Sequence, residues 1–230
     1  MKYYAVITAG GVGKRMKARV PKQFLPLEGK PILLRTIELF TNLDLPVEIV
    51  LVLPPSHIDE WKDYYNSHNL VFPHTIVPGG LTRFHSVRAA LQVIPDGAVV
   101  AVHDGVRPFV PAELIKRLFL YPINGKCAGV IPVLNIAESM RKKVYSEDGA
   151  VSGTVPAVRE DYLLVQTPQV FDSTRLKAAY EKPYSPSFTD DATVMESNGF
   201  SFDTVEGSKF NLKITTPEDL KFATRLLSTD

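Results

Sequence analysis

Short apolar runs alternate along the chain with longer stretches whose apolar positions recur every three or four residues, the spacings of strands and amphipathic helices. The first run, Tyr3–Thr8, predicts a strand, and a loop over Ala9–Lys22 follows it. The pattern then predicts a helix over about Ile32–Asn42, a strand over Glu48–Leu53 and a helix over about Ile58–Ser67. Ser56 and Asp59 have the spacing of a capping box for that last helix. A short strand at Thr75–Val77, a helix at about Arg83–Val93 and a strand at Ala98–His103 continue the series. Pro111 opens a helix through Leu120, at the first-turn position prolines favour, and Cys127–Val133 is another apolar strand. Strands apolar on both faces, alternating with helices, predict an α/β fold with a mostly parallel twisted sheet covered on both sides. Ligands of such sheets bind beyond the carboxyl ends of the strands, which singles out the loops after Thr8, Val77 and His103.

The rhythm breaks between Ile136 and Arg159. Two β-prone pieces there, Met140–Tyr145 and Val151–Val155, flank Glu147-Asp148-Gly149, a hairpin signal. A lone hairpin is marginal in water, so this one is expected to pack on something: its own subunit, as a flap, or a second subunit, as an arm. Beyond it the pattern predicts a strand at Leu163–Gln166, helices at Ser173–Tyr180 and Asp191–Asn198, and strands at Ser201–Val205 and Asn211–Ile214. The final helix starts at Thr216-Pro217-Glu218-Asp219, with a capping threonine, a first-turn proline and an acid three residues after the cap. The expected organisation is one domain over 1–230 with a β-arm inserted at 136–159.

Composition narrows the function classes. The chain has 230 residues, 45% of them hydrophobic and 22% charged, which is ordinary globular usage. Lys and Arg number 26 against 25 Asp and Glu, a net charge of +1. That balance argues against nucleic-acid or membrane partners, so an anionic ligand must be held by a few placed cations. The single cysteine, Cys127, excludes an internal disulfide. No apolar run approaches the roughly 18 residues that cross a bilayer, and Met1-Lys2-Tyr3 runs straight into a strand without a signal-peptide pattern. A cytoplasmic protein is therefore expected.

The loop after the first strand reads Thr8-Ala9-Gly10-Gly11-Val12-Gly13-Lys14-Arg15-Met16, and Pro21-Lys22-Gln23 closes it. Glycines let main-chain N–H groups approach a ligand closely, and Arg15 and Lys22 add positive charge, so phosphate is the expected ligand. A Walker loop would need Ser or Thr after Gly-Lys, where Arg15 stands. A dinucleotide fingerprint would need an acid at the end of the second strand, which here ends in Leu53-Pro54-Pro55. The second loop, Pro78-Gly79-Gly80-Leu81-Thr82-Arg83-Phe84-His85-Ser86, opens a helix whose amide end suits an anion or a polar base edge. The third, His103-Asp104-Gly105-Val106-Arg107-Pro108, sets an acid suited to a metal or hydroxyl beside an arginine suited to phosphate. Lys213 lies between Leu212 and Ile214, where strand alternation predicts a solvent-facing side chain. The five histidines have no metal-ligand spacing, and no nucleophile motif occurs.

Taken together, these motifs resemble the cytidylyltransferases that make 4-diphosphocytidyl-2-C-methyl-D-erythritol in the non-mevalonate isoprenoid pathway. The resemblance spans nearly the whole chain. It rests on Ala9-Gly10-Gly11-x-Gly13-x-Arg15-Met16, Pro21-Lys22-Gln23, Gly79-Gly80-x-x-Arg83-x-x-Ser86-Val87 and His103-Asp104-x-x-Arg107-Pro108. It continues through Gln166-Thr167-Pro168-Gln169-x-Phe171, Thr189-Asp190-Asp191-Ala192 and Asn211-x-Lys213-Ile214-Thr215-x-Pro217. The resemblance implies a Rossmann-like nucleotidyltransferase fold and a homodimer built by exchanged β-arms. It puts Ala9, Gly10, Gly11, Gly13, Gly80, Arg83 and Ser86 on CTP. Arg15 and Lys22 match the cations that stabilise the transition state, while Arg159, acting across the dimer, and Lys213 aim the acceptor. Asp104, Arg107, Ser139, Thr167 and Thr189 fall at or near positions that contact the sugar-alcohol phosphate. Mg²⁺ is the implied cofactor, held mainly through the CTP phosphates, with no residue assigned to it. Two other readings are a ribitol-5-phosphate cytidylyltransferase and a catalytically silent nucleotide-binding module.

Overall fold

The structure, a computed structural model, describes residues 1–11, 21–125 and 127–228. Its elements are, in chain order, β1 (Tyr3–Thr8), β2 (Pro26–Leu27), β3 (Lys30–Pro31), α1 (Ile32–Thr41), β4 (Val47–Leu53), α2 (Ile58–Ser67), β5 (His74–Pro78), α3 (Arg83–Leu91), β6 (Val99–Asp104) and α4 (Ala112–Phe119). They continue with β7 (Cys127–Asn135), β8 (Met140–Tyr145), β9 (Val151–Ala157), β10 (Leu163–Val165), β11 (Gln169–Asp172), α5 (Ser173–Tyr180), α6 (Asp191–Ser197), β12 (Ser201–Glu206) and α7 (Pro217–Leu227).

Eight strands form one mixed sheet. β5, β4, β1 and β6 lie side by side and parallel, and β11 joins β6 to β7 antiparallel to both. β7 carries β10 and β11 along one edge and β12, parallel to it, along the other. The register sets Thr8 opposite Val52 and Asp104, and Val52 opposite Val77, so the loops after β1, β5 and β6 leave the sheet at the same end. Alternation along each strand builds two apolar layers. Val6, Val50 and Val102 face α3, α5 and α6 through Phe84, Leu176 and Met195. Ala5, Ile7 and Leu51 face α1, α2 and α4 through Leu33, Trp61 and Ile115. A smaller cluster of Leu27, Ile32, Val106, Ile214 and Ala223 fastens α7 beneath the third loop. Every strand of the β1–β4–β6 centre is buried on both faces, and burial of each such side chain stabilises the fold by about 1.5–3 kcal/mol.

The predicted capping box of α7 is present: Thr216 Oγ1 accepts the Asp219 N–H and Asp219 Oδ2 accepts the Thr216 N–H. The box predicted for α2 is not. A 3-10 turn over Pro55–His57 runs straight into α2, so Ser56 lies inside a turn and no side chain caps the helix. Proline at the start of that turn presets its backbone and leaves Ser56 no cap position. Asn211–Ile214 is not a strand. Asn211 and Ile214, three apart, are both buried, a spacing that strand alternation does not give. β11 was not predicted, being only four residues long directly after a proline.

The β8–β9 hairpin forms a sheet of its own, turned at Asp148-Gly149 with Gly149 at φ +80°. Nearly all of it is exposed, including Val144, Tyr145, Val151 and Val155. Tyr162, Leu163, Leu164 and Val165 beside its root are also exposed.

Candidate functional site

At the carboxyl end of the sheet a cavity of about 330 Å³ opens between the three loops. Ala9, Gly10, Gly11, Lys22, Gly80, Arg83, Ser86, Asp104 and Lys213 all line it. So do Thr8, Gln23, Leu81, Thr82 and Val106. Nine of the residues singled out in the sequence are thus brought to one place from segments up to two hundred positions apart.

Main-chain anchors shape the glycine side of the cavity. The Ala9 N–H donates to Val52 O at 2.9 Å, continuing the sheet one step beyond β1. The buried Gln23 amide donates to Ala9 O at 2.6 Å and so ties the Lys22 segment to the glycine loop. A Cβ on Gly11 would stand 3.9 Å from Lys22 Cε, which makes the two neighbours. Across the cavity, the Gly80 N–H donates to Ser86 Oγ at 3.1 Å. A side chain on Gly80 would collide with His85, so the turn into α3 admits only glycine there. Thr82 caps α3, accepting the His85 N–H at 3.4 Å. The cavity thus has exposed glycine backbone on one wall and a capped helix start on the other, both suited to anions.

The charged wall centres on Asp104. Its Oδ2 lies 2.9 Å from Lys213 Nζ and 3.1 Å from Arg107 Nε, and its Oδ1 lies 3.9 Å from Arg83 Nε. Burial alone would raise the Asp104 pKa, but Lys213, Arg83 and Arg107 outweigh it and hold the carboxyl well below the usual range. Arg107 also donates from Nη1 to Asn211 O at 2.8 Å. Arg83 makes a two-pronged pair with the fully buried Asp191, at 2.8 and 2.6 Å. Tyr180 donates to the same Asp191 at 2.6 Å. Burial opposes the charge of Arg83, yet Asp191 and then Asp104 keep it firmly protonated. The cavity is therefore lined by Lys22, Lys213 and the Asp191-braced Arg83, with Arg107 behind Asp104. Such a surface neutralises phosphates.

The other predicted residues that the structure describes fall outside the cavity lining. Arg107 stands behind Asp104, and Thr167 is buried, accepting the Asp104 N–H at 3.1 Å. Thr189 is exposed in the loop before α6 and lies 3.4 Å from Thr193 Oγ1. Ser139 and Arg159 are exposed at the root of the hairpin, where Arg159 donates to Ala137 O at 2.6 Å. Gly13 and Arg15 lie outside the described residues. Sequence reasoning passed over the roles of Gln23, Asp191, Tyr180 and Asn211. Gln23, Asp191 and Asn211 stand in the motifs quoted above but were given no role of their own, and Tyr180 carried no signal beyond its helix.

The family model described as 2-C-methyl-D-erythritol 4-phosphate cytidylyltransferase matches residues 3–229. The chain is 48% identical over 223 residues to the 2-C-methyl-D-erythritol 4-phosphate cytidylyltransferase of Bacteroides fragilis, covering 97% of this chain and 98% of that protein. It is 46% identical over 227 residues to the enzyme of the same description from Phocaeicola vulgatus, covering 99% and 100%. Its fold is similar to the crystal structure of 4-diphosphocytidyl-2C-methyl-D-erythritol synthase from Anaerococcus prevotii, with a TM-score of 0.78, 28% identity and 99% of both chains covered.

Proposed function

Because the chain belongs to the 2-C-methyl-D-erythritol 4-phosphate cytidylyltransferase family, we propose that the cavity between its three loops is where CTP meets the acceptor phosphate. The enzyme transfers CMP from CTP to 2-C-methyl-D-erythritol 4-phosphate, giving 4-diphosphocytidyl-2-C-methyl-D-erythritol and pyrophosphate. The observation that carries the site assignment is the meeting of exposed glycine backbone, Lys22 and Lys213 around one neutralised carboxylate.

The acceptor phosphate oxygen attacks the α-phosphorus in line and pyrophosphate leaves. A phosphate monoester is already mostly dianionic at neutral pH, its second pKa being about 6, so no protein base is needed. What the protein must supply is alignment and compensation of negative charge. Ala9, Gly10, Gly11 and Gly80 cradle the nucleotide with backbone groups, and Ser86, already holding the Gly80 N–H, sets the shape of that cradle. Lys22, with Arg15 by its place in the motif, neutralises the triphosphate, and Gly13 belongs by its place in the motif to the backbone cradle. Arg83, braced by Asp191, stiffens the wall of the nucleotide side. Lys213 offers its ammonium to the acceptor phosphate while Asp104 fixes its position, and Arg107, Thr167 and Thr189 complete that side.

Mg²⁺ fits this site as a companion of the triphosphate. Asp104 is the sole carboxylate among the cavity's described lining residues, and it is committed to cations. Among the described residues no group of three His, Cys, Asp or Glu side chains forms a cage. Held mainly by the CTP phosphates, such an ion would supply positive charge to compensate the triphosphate.

The exposed hairpin and its apolar root support a homodimer through exchanged β-arms, in which Ser139 and Arg159 reach the partner's cavity. The unpaired Cys127 fits a cytoplasmic setting, and no helix among the described residues is long and apolar enough to cross a membrane. The test is pyrophosphate release by the purified protein with CTP and Mg²⁺. Turnover is expected with 2-C-methyl-D-erythritol 4-phosphate, with kcat/KM at least a hundredfold above that for ribitol 5-phosphate. The reverse preference, or no release with either, overturns the reading. Sedimentation should give a dimer, and a chain shortened to a tight turn in place of 141–156 should be monomeric and inactive.

A further inference from the structure

His103 is fully buried at the end of β6, and nothing in the proposed reaction uses it. Its neighbours determine which nitrogen holds the hydrogen. Nε2 lies 3.2 Å from Arg107 O, and a carbonyl oxygen only accepts, so Nε2 is the protonated nitrogen. Burial keeps the ring neutral, with a pKa lowered from 6.5 to about 4, so Nδ1 is bare. Thr167 Oγ1, 3.0 Å away, therefore donates to Nδ1. The same oxygen accepts the Asp104 N–H at 3.1 Å. One imidazole thus closes a ring of hydrogen bonds from Asp104 through Thr167 to Arg107, and the Phe40 ring packs against it at 5.2 Å. Thr8 Oγ1 donates to the His103 carbonyl at 3.1 Å and holds its main chain on β1.

We propose that His103 is a positioning residue for the acceptor side of the reaction, acting as a neutral Nε2–H imidazole that sets Thr167 and the Asp104–Arg107 turn. This rests on the reading above that Asp104, Arg107, Thr167 and Lys213 serve the acceptor phosphate. Asp104 is the link to Lys213, 2.9 Å away, so a turn that shifts Asp104 also shifts the ammonium aimed at the acceptor. Misplacement of a reacting group by about 1 Å costs up to a hundredfold in rate. The hydroxyl hydrogen of Thr167 is spent on His103, so its oxygen is turned to accept the Asp104 N–H.

His103→Asn keeps an oxygen near the place of Nδ1 and loses the bond to Arg107 O. His103→Gln keeps an N–H near the place of Nε2 and loses the bond from Thr167. Each should lower kcat/KM for the acceptor phosphate roughly tenfold or more, the worth of about one hydrogen bond, while KM for CTP stays within twofold. Folded variants with acceptor kinetics within twofold of wild type overturn the proposal, as does an equal rise in both KM values. Nitrogen NMR of the wild-type histidines keeps the test open should both variants fail to fold. The histidine whose signal moves in Thr167→Val should be the neutral Nε2–H form from pH 6 to 8 and should respond to added acceptor phosphate. The opposite tautomer, or no response, refutes the proposal. Wild-type turnover is measured alongside: an inactive wild type sinks the functional reading, whereas indifferent variants of an active enzyme sink only the role of His103.

Discussion

Acidification from pH 7 to pH 4 should destabilise this protein chiefly through the buried ring of His103. His103 is wholly enclosed, and enclosure lowers its pKa from 6.5 to about 4. In the unfolded chain it regains the ordinary value. Above pH 6.5 neither state binds this proton, and stability is indifferent to it. Between pH 6.5 and about 4 the unfolded chain takes up the proton and the folded one does not, so stability falls as pH falls. The slope is about 1.4 kcal/mol per pH unit, and the loss across the window is roughly 3 kcal/mol. That is a large share of the about 5–15 kcal/mol by which domains are stable. Below about pH 4 the folded ring protonates as well and the slope from this group ends. His74, also lowered by burial, adds to the loss with the same sign. Asp104 and Asp219, held below their ordinary value of 3.8, lose their stabilising effect only at still lower pH. The assay is urea unfolding of wild type and His103→Gln at pH 7, 6, 5 and 4.5. The variant should be less stable at pH 7, and the gap should close by about 2–3 kcal/mol towards pH 4.5. Parallel curves for the two proteins would refute a neutral, enclosed His103.

Lys22→Ala should lower pyrophosphate release about a hundredfold or more with little change in the urea midpoint, because the lysine lines the cavity and caps no core. A near wild-type rate would remove it from the chemistry. Asp191→Asn leaves the Arg83 guanidinium without its two-pronged partner and should cost about 3–5 kcal/mol in urea unfolding, whereas Tyr180→Phe, which removes one hydrogen bond, should cost less. Equal losses would mean that the pair carries no special weight. Gly129→Ala places a methyl group against Phe171 and Val170 O where β7 meets β11, and should destabilise by about 1–3 kcal/mol or more with unaltered KM for CTP in the folded protein. A neutral effect on the unfolding midpoint would contradict that packing.

Much of the scaffold is written in local pattern. The strand periods of β1, β4 and β6 and the helix periods of α1 and α3 are each a property of a few neighbouring residues. So is the Thr216–Asp219 cap, whose partners are three residues apart. Local pattern misled where the chain departs from a regular period. The proline pair before α2 turned an apparent cap at Ser56 into a 3-10 turn. The stretch around Lys213 imitates an alternating strand but buries Ile214 under α7 and the third loop, and Asn211 against Thr167 and Arg107.

What the linear sequence determined alone was the α/β alternation, the glycine-rich turn after β1, and the stock of cations without a nucleophile. These depend on composition and short-range spacing, which survive without knowledge of the fold. The tertiary structure decided which charges compensate one another. Asp104 meets Lys213, and Arg83 meets Asp191, across more than a hundred residues of chain. The proton on His103 was likewise settled by Arg107 and Thr167, one near and one distant in sequence. Charge pairing and tautomer depend on distances of about 3 Å, and those distances exist only once the sheet has set its strand ends side by side.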